Sequence, residues 1–326
     1  MGDQRQRYGI LGSGAVGSVY GSRLWQAGHP VTFLLRSDLE AGRRQGLRVD
    51  SPWGDVTVAP SQLVGTAREL GAVDALIVAT KSTANHQLAA LLAELAAAAP
   101  VILLLQNGLG GEDAVAEALP GSVVLGGVCD IACSRVAQAH VKHYAAGLIH
   151  LAPWSATGEP SDQAQQACQW VTADLRAAGV PIDCGDSLQR MRWRKLVWNM
   201  AFSGLCVVSG RGTQGVLADA TLRARLERIM QEVAAAAAAT GTPLEADVVP
   251  WFLAQTEAIP DYAPSMQLDA QAGRPLELQT IYRNPLQLAR SSGAAMPETA
   301  RLLAELEALA VVSHHVDQQS SSLSRC

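Results

Sequence analysis

Through the first half of the chain, short uninterrupted apolar runs alternate with stretches of helical period; after about residue 186 only helical periods remain. Tyr8 to Leu11 is the first apolar run. Ser18 to Ala27 follows with helical spacing, Val19, Leu24 and Trp25 forming its apolar side, and Gly28 and Pro30 stop it. Val31 to Leu35 is a second buried strand, and Val73 to Ala79, Pro100 to Leu105 and Ser122 to Leu125 are three more. Helices are expected between them at Gln87 to Ala98 and Glu112 to Leu119. Buried strands alternating with helices predict a parallel sheet covered on both faces. Gly46 to Pro60 alternates as a hairpin. Gly126 to Pro153 reads as shorter, more polar strands around a turn at Ala145 to Gly147, an antiparallel extension of the sheet. Gln163 to Ala178 is helical, and Val180 to Cys184 closes the domain.

From Asp186 onward the pattern is all-helical: Met191 to Ser203, Ala218 to Thr240, Leu244 to Ala258, a helix around Pro264 to Asp269, one running through Arg290, and a last one from Pro297 to Val312. Ser313 to Cys326 is polar, rich in Ser and Gln, and reads as disordered. The expected domains are therefore 1–185, 186–312 and the tail 313–326. A length of 326 residues agrees with two cores rather than one.

The first strand-to-helix turn carries the most chemistry. Gly12-Ser13-Gly14-Ala15-Val16-Gly17 is G-x-G-x-x-G set between a strand and a helix, the context a dinucleotide-binding turn requires. Gly12 permits the tight turn, Gly14 lets backbone approach a pyrophosphate, and Gly17 lets helix and strand pack closely. The helix N-terminus faces the phosphate charge. The fold class is thus α/β, a Rossmann-like doubly wound sheet followed by an all-helical domain. After the second strand an NAD enzyme usually places a carboxylate that holds the ribose 2′-hydroxyl. Here Arg36 stands there, and a guanidinium suits a 2′-phosphate. Asp38 keeps NAD as an alternative. Arg43 and Arg44 read as a solvated helix face. Lys81 and Asn107 each end a buried strand, where side chains meet a ligand crevice. Lys81 reads equally as a ligand contact or a loop lysine, and Asn107 as a ligand contact or a turn former.

In the helical half, Lys195, Asn199 and Ser203 recur every four residues and share a face among Leu196, Val197, Met200 and Phe202. Polar groups so placed are costly to bury alone, so they should line a polar cleft. A lysine snorkelling at the helix edge is the plainer alternative.

Composition narrows the class. A net charge of −5 argues against a nucleic-acid partner. No apolar stretch reaches the ~18 residues of a membrane span, and no signal-peptide pattern opens the chain. The six cysteines lack C-x-x-C spacing and read as reduced thiols of a cytoplasmic protein. Cys129 and Cys133, or His140, His143 and His150, lack the companions a metal site needs, so no metal is expected. Helical second domains often pair, which makes a homodimer the assembly to look for.

These residues together resemble the ketopantoate reductase family (2-dehydropantoate 2-reductase) over about residues 7 to 312. Its carriers are Gly12 to Gly17, Arg36, Thr80-Lys81, Gln106-Asn107-Gly108, the helix Trp193-Arg194-Lys195-Leu196-Val197-Trp198-Asn199, and Ser265 followed twelve residues later by Glu277. The resemblance implies NADPH-dependent reduction of 2-dehydropantoate to pantoate, a step of pantothenate biosynthesis. It implies that Lys195 is the general acid and that Glu277 holds the substrate hydroxyl and orients the lysine. Asn199 and Ser265 would bind the substrate, with Ser203 beside them. Asn107 would touch cofactor ribose or substrate, and Arg36 and Lys81 the adenosine end and phosphates. Two positions depart from the family pattern. Ser203 stands where pantoate-forming enzymes often carry a second asparagine, and Ala84 stands where a glutamine can lie near the cofactor. Both bear on substrate identity, so a paralogous reductase of another 2-keto acid is one alternative. A 3-hydroxyacid or glycerol-phosphate type dehydrogenase and a non-catalytic NADP-binding sensor are the others.

Overall fold

The computed structural model describes residues 5–95, 101–185 and 187–309. The expected tail at 313–326 lies outside them, as do the last residues of the helix expected to reach Ala98. The chain divides into two compact units, Met1–Leu188 and Gln189–Cys326.

The first unit runs β1 (Tyr8–Leu11), α1 (Ala15–Gln26), β2 (Val31–Leu34), α2 (Leu39–Gln45), β3 (Leu47–Asp50), β4 (Val56–Val58), β5 (Leu63–Val64), β6 (Ala75–Val78), α3 (Asn85–Leu95), β7 (Val101–Leu104), α4 (Gly111–Ala118), β8 (Val123–Ala137), β9 (His140–Pro153), α5 (Asp162–Ala177) and β10 (Ile182–Cys184). Its sheet is ordered β4-β3-β9-β8-β7-β6-β1-β2-β5, with β10 beside β9. From β5 to the start of β8 every pairing is parallel.

β1, β6 and β7 are buried at every position because helices cover both faces. Alternate residues feed two cores. Tyr8, Ile10, Phe33, Ile77 and Leu103 pack with Tyr20 and Leu24 of α1 and Val171 and Leu175 of α5. Leu11, Leu34, Leu76, Val78 and Leu104 pack with Leu88 and Leu92 of α3 and Val115 of α4. Strand order reverses between β1 and β6, so the carboxyl ends of these two strands flank the crevice where doubly wound sheets bind ligands.

The antiparallel extension differs from the expected short strands. β8 and β9 are 15 and 14 residues long and pair almost throughout. The turn expected at Ala145 to Gly147 is a bulge inside β9, where Ala146 and Gly147 have φ of 61° and 121°. The true turn is Gln138-Ala139, with Ala139 at φ 50°. It has no glycine to mark it. It is held from outside, by Arg48 N–H donating to the Ala139 carbonyl and the Ala139 N–H donating to Asp38.

The second unit is helical. α6 (Leu188–Trp198) leads into it and continues as a π turn at Asn199–Ser203, then as α7 (Gly204–Ser209). α8 (Thr213–Ala218), α9 (Ala220–Ala239), α10 (Val248–Glu257) and α11 (Ser265–Gln271) follow. A second π turn at Gln279–Arg283 opens α12 (Asn284–Ser291), and α13 spans 297–309.

The helix expected from Ala218 starts instead at Ala220, because the Asp219 carboxylate caps it, accepting from the Thr221 and Leu222 N–H groups. Similarly, α10 starts after Asp247, later than the expected Leu244. The second π turn has a local cause: Pro285 has no N–H to give to the Ile281 carbonyl, and a widened turn relieves the clash. Trp193, Leu196, Val197, Met200 and Phe202 are buried, as are Leu226, Ile229, Met230 and Val233 of α9 and Leu302 and Leu306 of α13. Arg225 ties α9 to α13, pairing with Glu298 at 2.6 Å and Glu305 at 2.8 Å.

Candidate active site

In the first unit the β1–α1 turn is built by its glycines. Gly12 has φ 94°, and a Cβ there would collide with the Thr80 backbone at the end of β6. A Cβ at Gly17 would collide with the Gly12 carbonyl, so helix and turn are in van der Waals contact. Gly14 is the opposite case: nothing lies within 4 Å of the position its Cβ would take. The open space before Gly14 is a cradle that a side chain would fill. α1 begins there with no side-chain cap and no acidic residue in its first turn. Its first N–H groups have no helical carbonyl to meet, and the helix dipole adds positive character. Ser13, Ala15 and Val16 complete the rim, with Ser18 Oγ donating to the Ser13 carbonyl at 3.1 Å. This arrangement fits a pyrophosphate.

At the end of β2, Arg36 and Ser37 are exposed and Asp38 is buried. The Asp38 carboxylate accepts from Ser37 Oγ at 3.0 Å, Arg135 Nη1 at 2.9 Å and the Ala139 N–H at 3.2 Å. It is occupied inside the protein and is turned toward the β8–β9 tip rather than toward a ribose. Arg36 donates to the Gln87 side-chain oxygen at 3.1 Å, which steadies an exposed guanidinium. Arg135 also reaches Ser37 Oγ at 3.2 Å, which brings a second cation to this rim. Gln87 and Arg135 are the residues sequence reasoning missed. Gln87 lies one helical turn beyond Ala84, one of the two positions that depart from the family pattern.

The crevice floor is polar. Buried Gln106 donates to Thr80 Oγ1 at 3.0 Å and to Asn85 Oδ1 at 2.7 Å, joining the ends of β7 and β6. Lys81 is exposed and Asn107 half-buried at these two strand ends. The three histidines are each engaged: His140 with Asp50, His143 with Ser51, and His150 with both Asp130 and Asp183. Among the described residues no group of three or more His, Cys, Asp or Glu side chains could hold a metal.

The second unit gathers the other candidates. Asn199 and Ser203 are buried, and Lys195 one turn before them is half-buried. The face they share passes through the π turn. At about 4.4 residues per turn, a four-residue step there returns close to the same direction. Glu277 is buried just before the second π turn, and the two π turns are in contact. α11, which Ser265 opens, packs against α7 and the first π turn. Ser265 itself is exposed, and Asp269 on the same helix is held by Arg274 at 2.9 Å. The elements bearing Asn199, Ser203 and Ser265 thus pack together with the π turn that follows Glu277, and Lys195 precedes them on the continuous helix.

A doubly wound sheet with an uncapped Gly-rich crossover, joined to a helical unit with a lysine and buried polar groups, defines a dinucleotide-binding protein of two-domain build. The family profile described as Ketopantoate reductase PanE/ApbA matches residues 8–156, and its C-terminal counterpart matches residues 187–310. The chain is 35% identical over 304 residues to the 2-dehydropantoate 2-reductase of Nostoc sp., covering 93% of this chain and 95% of that one. It is 31% identical to a Mycobacterium tuberculosis protein of the same name, covering 88% and 92%. A crystal structure of 2-dehydropantoate 2-reductase from Geobacter metallireducens superposes with a TM-score of 0.85 at 36% identity, covering 92% of this chain and 99% of that one. A D-mandelate dehydrogenase solved with NADH shares the fold at 22% identity, with a TM-score of 0.83 and coverage of 94% and 99%. The chain belongs to the ketopantoate reductase family and is an oxidoreductase.

Proposed function

We propose that this protein reduces 2-dehydropantoate to pantoate with NADPH and that Lys195 is its proton donor. The observation that carries the cofactor half is the pairing of an exposed Arg36 with an internally bound Asp38. A carboxylate facing the ribose would repel a 2′-phosphate. Here that carboxylate is paired with Arg135, and the Arg36 guanidinium remains at the rim. Gly12 to Gly17 take the pyrophosphate through backbone N–H groups, and Lys81 and Asn107 extend the contact along the strand ends.

NADPH, when bound, supplies the hydride that reaches the substrate carbonyl carbon. As that carbon is reduced its oxygen gains negative charge, and Lys195 donates a proton to it. Glu277 accepts from the substrate hydroxyl and keeps the lysine oriented. Asn199 and Ser203 hold the substrate from the shared helix face, and Ser265 from α11 serves its carboxylate. Ser203 has a shorter reach than an asparagine and a single donor, so it sets how well the pantoate skeleton fits.

The 35% identity to a 2-dehydropantoate 2-reductase along nearly the whole chain supports this substrate over another 2-keto acid. Cysteines held as thiols rather than in disulfides at Cys129, Cys133, Cys168, Cys184 and Cys206 suit the reducing cytoplasm, where we place it. The expected homodimer is read by sedimentation. A panel of 2-keto acids run with NADPH and with NADH tests the assignment. Turnover best with 2-dehydropantoate and NADPH supports it. Turnover confined to another keto acid makes the protein a paralogue with the same acid.

A further inference from the structure

Tyr282 is fully buried, and its hydroxyl is not spent within its own helix. It donates to the Met200 carbonyl at 2.7 Å. Its oxygen lies against Gly204, whose own N–H is directed at the Ala201 carbonyl. Met200 and Gly204 are four residues apart, the pair that an α-helix would join directly. The phenol therefore donates to a carbonyl of another helix's hydrogen-bond ladder, and a side chain inserted there is a known cause of a widened or bent turn. The widened turn is Asn199–Ser203.

Gly204 fits the same picture. Its φ is −68°, so no left-handed conformation calls for glycine. A Cβ there would collide with the Tyr282 hydroxyl and the Leu302 side chain. The glycine is needed for the close approach of the tyrosine. Tyr282 itself belongs to the π turn Gln279–Arg283, which begins two residues after Glu277. One hydroxyl group thus locks the segment carrying Glu277 to the turn carrying Asn199 and Ser203.

We propose that Tyr282 is a positioning residue whose hydroxyl holds open the π turn and so sets the geometry at which Lys195, Asn199 and Ser203 meet the keto acid. This rests on the assignment of those three side chains to the substrate. Without the hydroxyl, the Met200 carbonyl loses its donor from Tyr282 in the buried interior, and the turn must rearrange. The rearrangement displaces Asn199 and Ser203 and leaves the β1–α1 turn untouched, because that turn belongs to the other unit.

The test is Tyr282→Phe in the full-length protein, which removes one oxygen atom and keeps the ring. Steady-state kinetics with 2-dehydropantoate, NADPH titration by fluorescence, and hydrogen exchange of the Gly204 amide are read together. The expected result is a rise of tenfold or more in KM for the keto acid, NADPH affinity within twofold of wild type, and at least tenfold faster exchange at Gly204 with the sheet amides unchanged. Gly204→Ala pushes the hydroxyl away without deleting it. It should give the same split, and it carries the test where Tyr282→Phe is insoluble. A folded Tyr282→Phe protein with KM within twofold of wild type overturns the proposal. So does a parallel loss of keto-acid and NADPH binding, which would mean general loosening. Wild-type protein that binds NADPH and reduces no keto acid would refute the functional reading instead, and unchanged exchange at Gly204 would then still refute the wedge.

Discussion

Replacing Arg36 with alanine separates the two nicotinamide cofactors. In the folded protein the Arg36 side chain is exposed and gives one N–H to Gln87 at 3.1 Å. The rest of its planar fork is available to a phosphate. A charge-assisted hydrogen bond contributes about 1.5–3 kcal/mol, and exposure to solvent places this one toward the low end of that range. A loss of about 1.5–2 kcal/mol corresponds to roughly 10–30-fold in affinity. NADH has no 2′-phosphate, so its affinity should stay within about twofold of wild type. It should not improve either, because Asp38 is held by Arg135, Ser37 and the Ala139 N–H and does not swing out to a ribose. Fluorescence titration of both cofactors at low salt reads the two numbers. The NADPH affinity of wild type should also fall with added salt more steeply than that of Arg36→Ala. Equal weakening of both cofactors, or none, would refute the assignment of Arg36 to the 2′-phosphate.

Other predictions concern stability and reactivity. Arg225→Met leaves Glu298 and Glu305 without their common partner at a largely buried site; a loss of about 2–3 kcal/mol is expected, seen as a lower urea midpoint of the helical unit. The pKa of His150 is raised, first by its hydrogen bond to Asp130 and further by Asp183, against the opposing effect of burial. Protonated His150 therefore stabilises the folded sheet in full below the ordinary histidine pKa. That contribution disappears as pH rises through the raised value, and His150→Gln should flatten the melting-temperature profile across that window. Burial pushes the Cys168 thiol up to about 11 and the Cys206 thiol up to about 12. Peptide mapping after brief native-state alkylation at neutral pH should find exposed Cys184 modified and these two protected; labelling of Cys206 at the rate of Cys184 would contradict its burial.

The fold was largely legible because both of its signals are local. Four-residue apolar runs such as Ala75–Val78 and Val101–Leu104 stand between helical periods, and G-x-G-x-x-G occurs at the first crossover. What the sequence hid depends on partners far along the chain. Arg135 lies 97 residues from Asp38 and decides where that carboxylate points. The Gln138-Ala139 turn has no glycine and exists because Asp38 and Arg48 grip its backbone. The break in the helix after Trp198 has no proline and no polar run. It follows from a hydroxyl 82 residues downstream, with Gly204 as its only local trace. By contrast, Pro285 marks the second π turn in the sequence itself. Periodicity placed Lys195, Asn199 and Ser203 on one face by assuming a regular α-helix. In the structure Asn199–Ser203 is a π turn, which shifts the direction of every residue that follows.

The most direct test of the account is the loss of NADPH absorbance on adding 2-dehydropantoate, measured for wild type and Lys195→Ala. Wild type should turn over, and the variant should lose at least about 100-fold in kcat, the range for removing a general acid, while binding NADPH as tightly as wild type. Near-normal turnover by Lys195→Ala would contradict the acid assignment, and no turnover by wild type would contradict the proposed reaction.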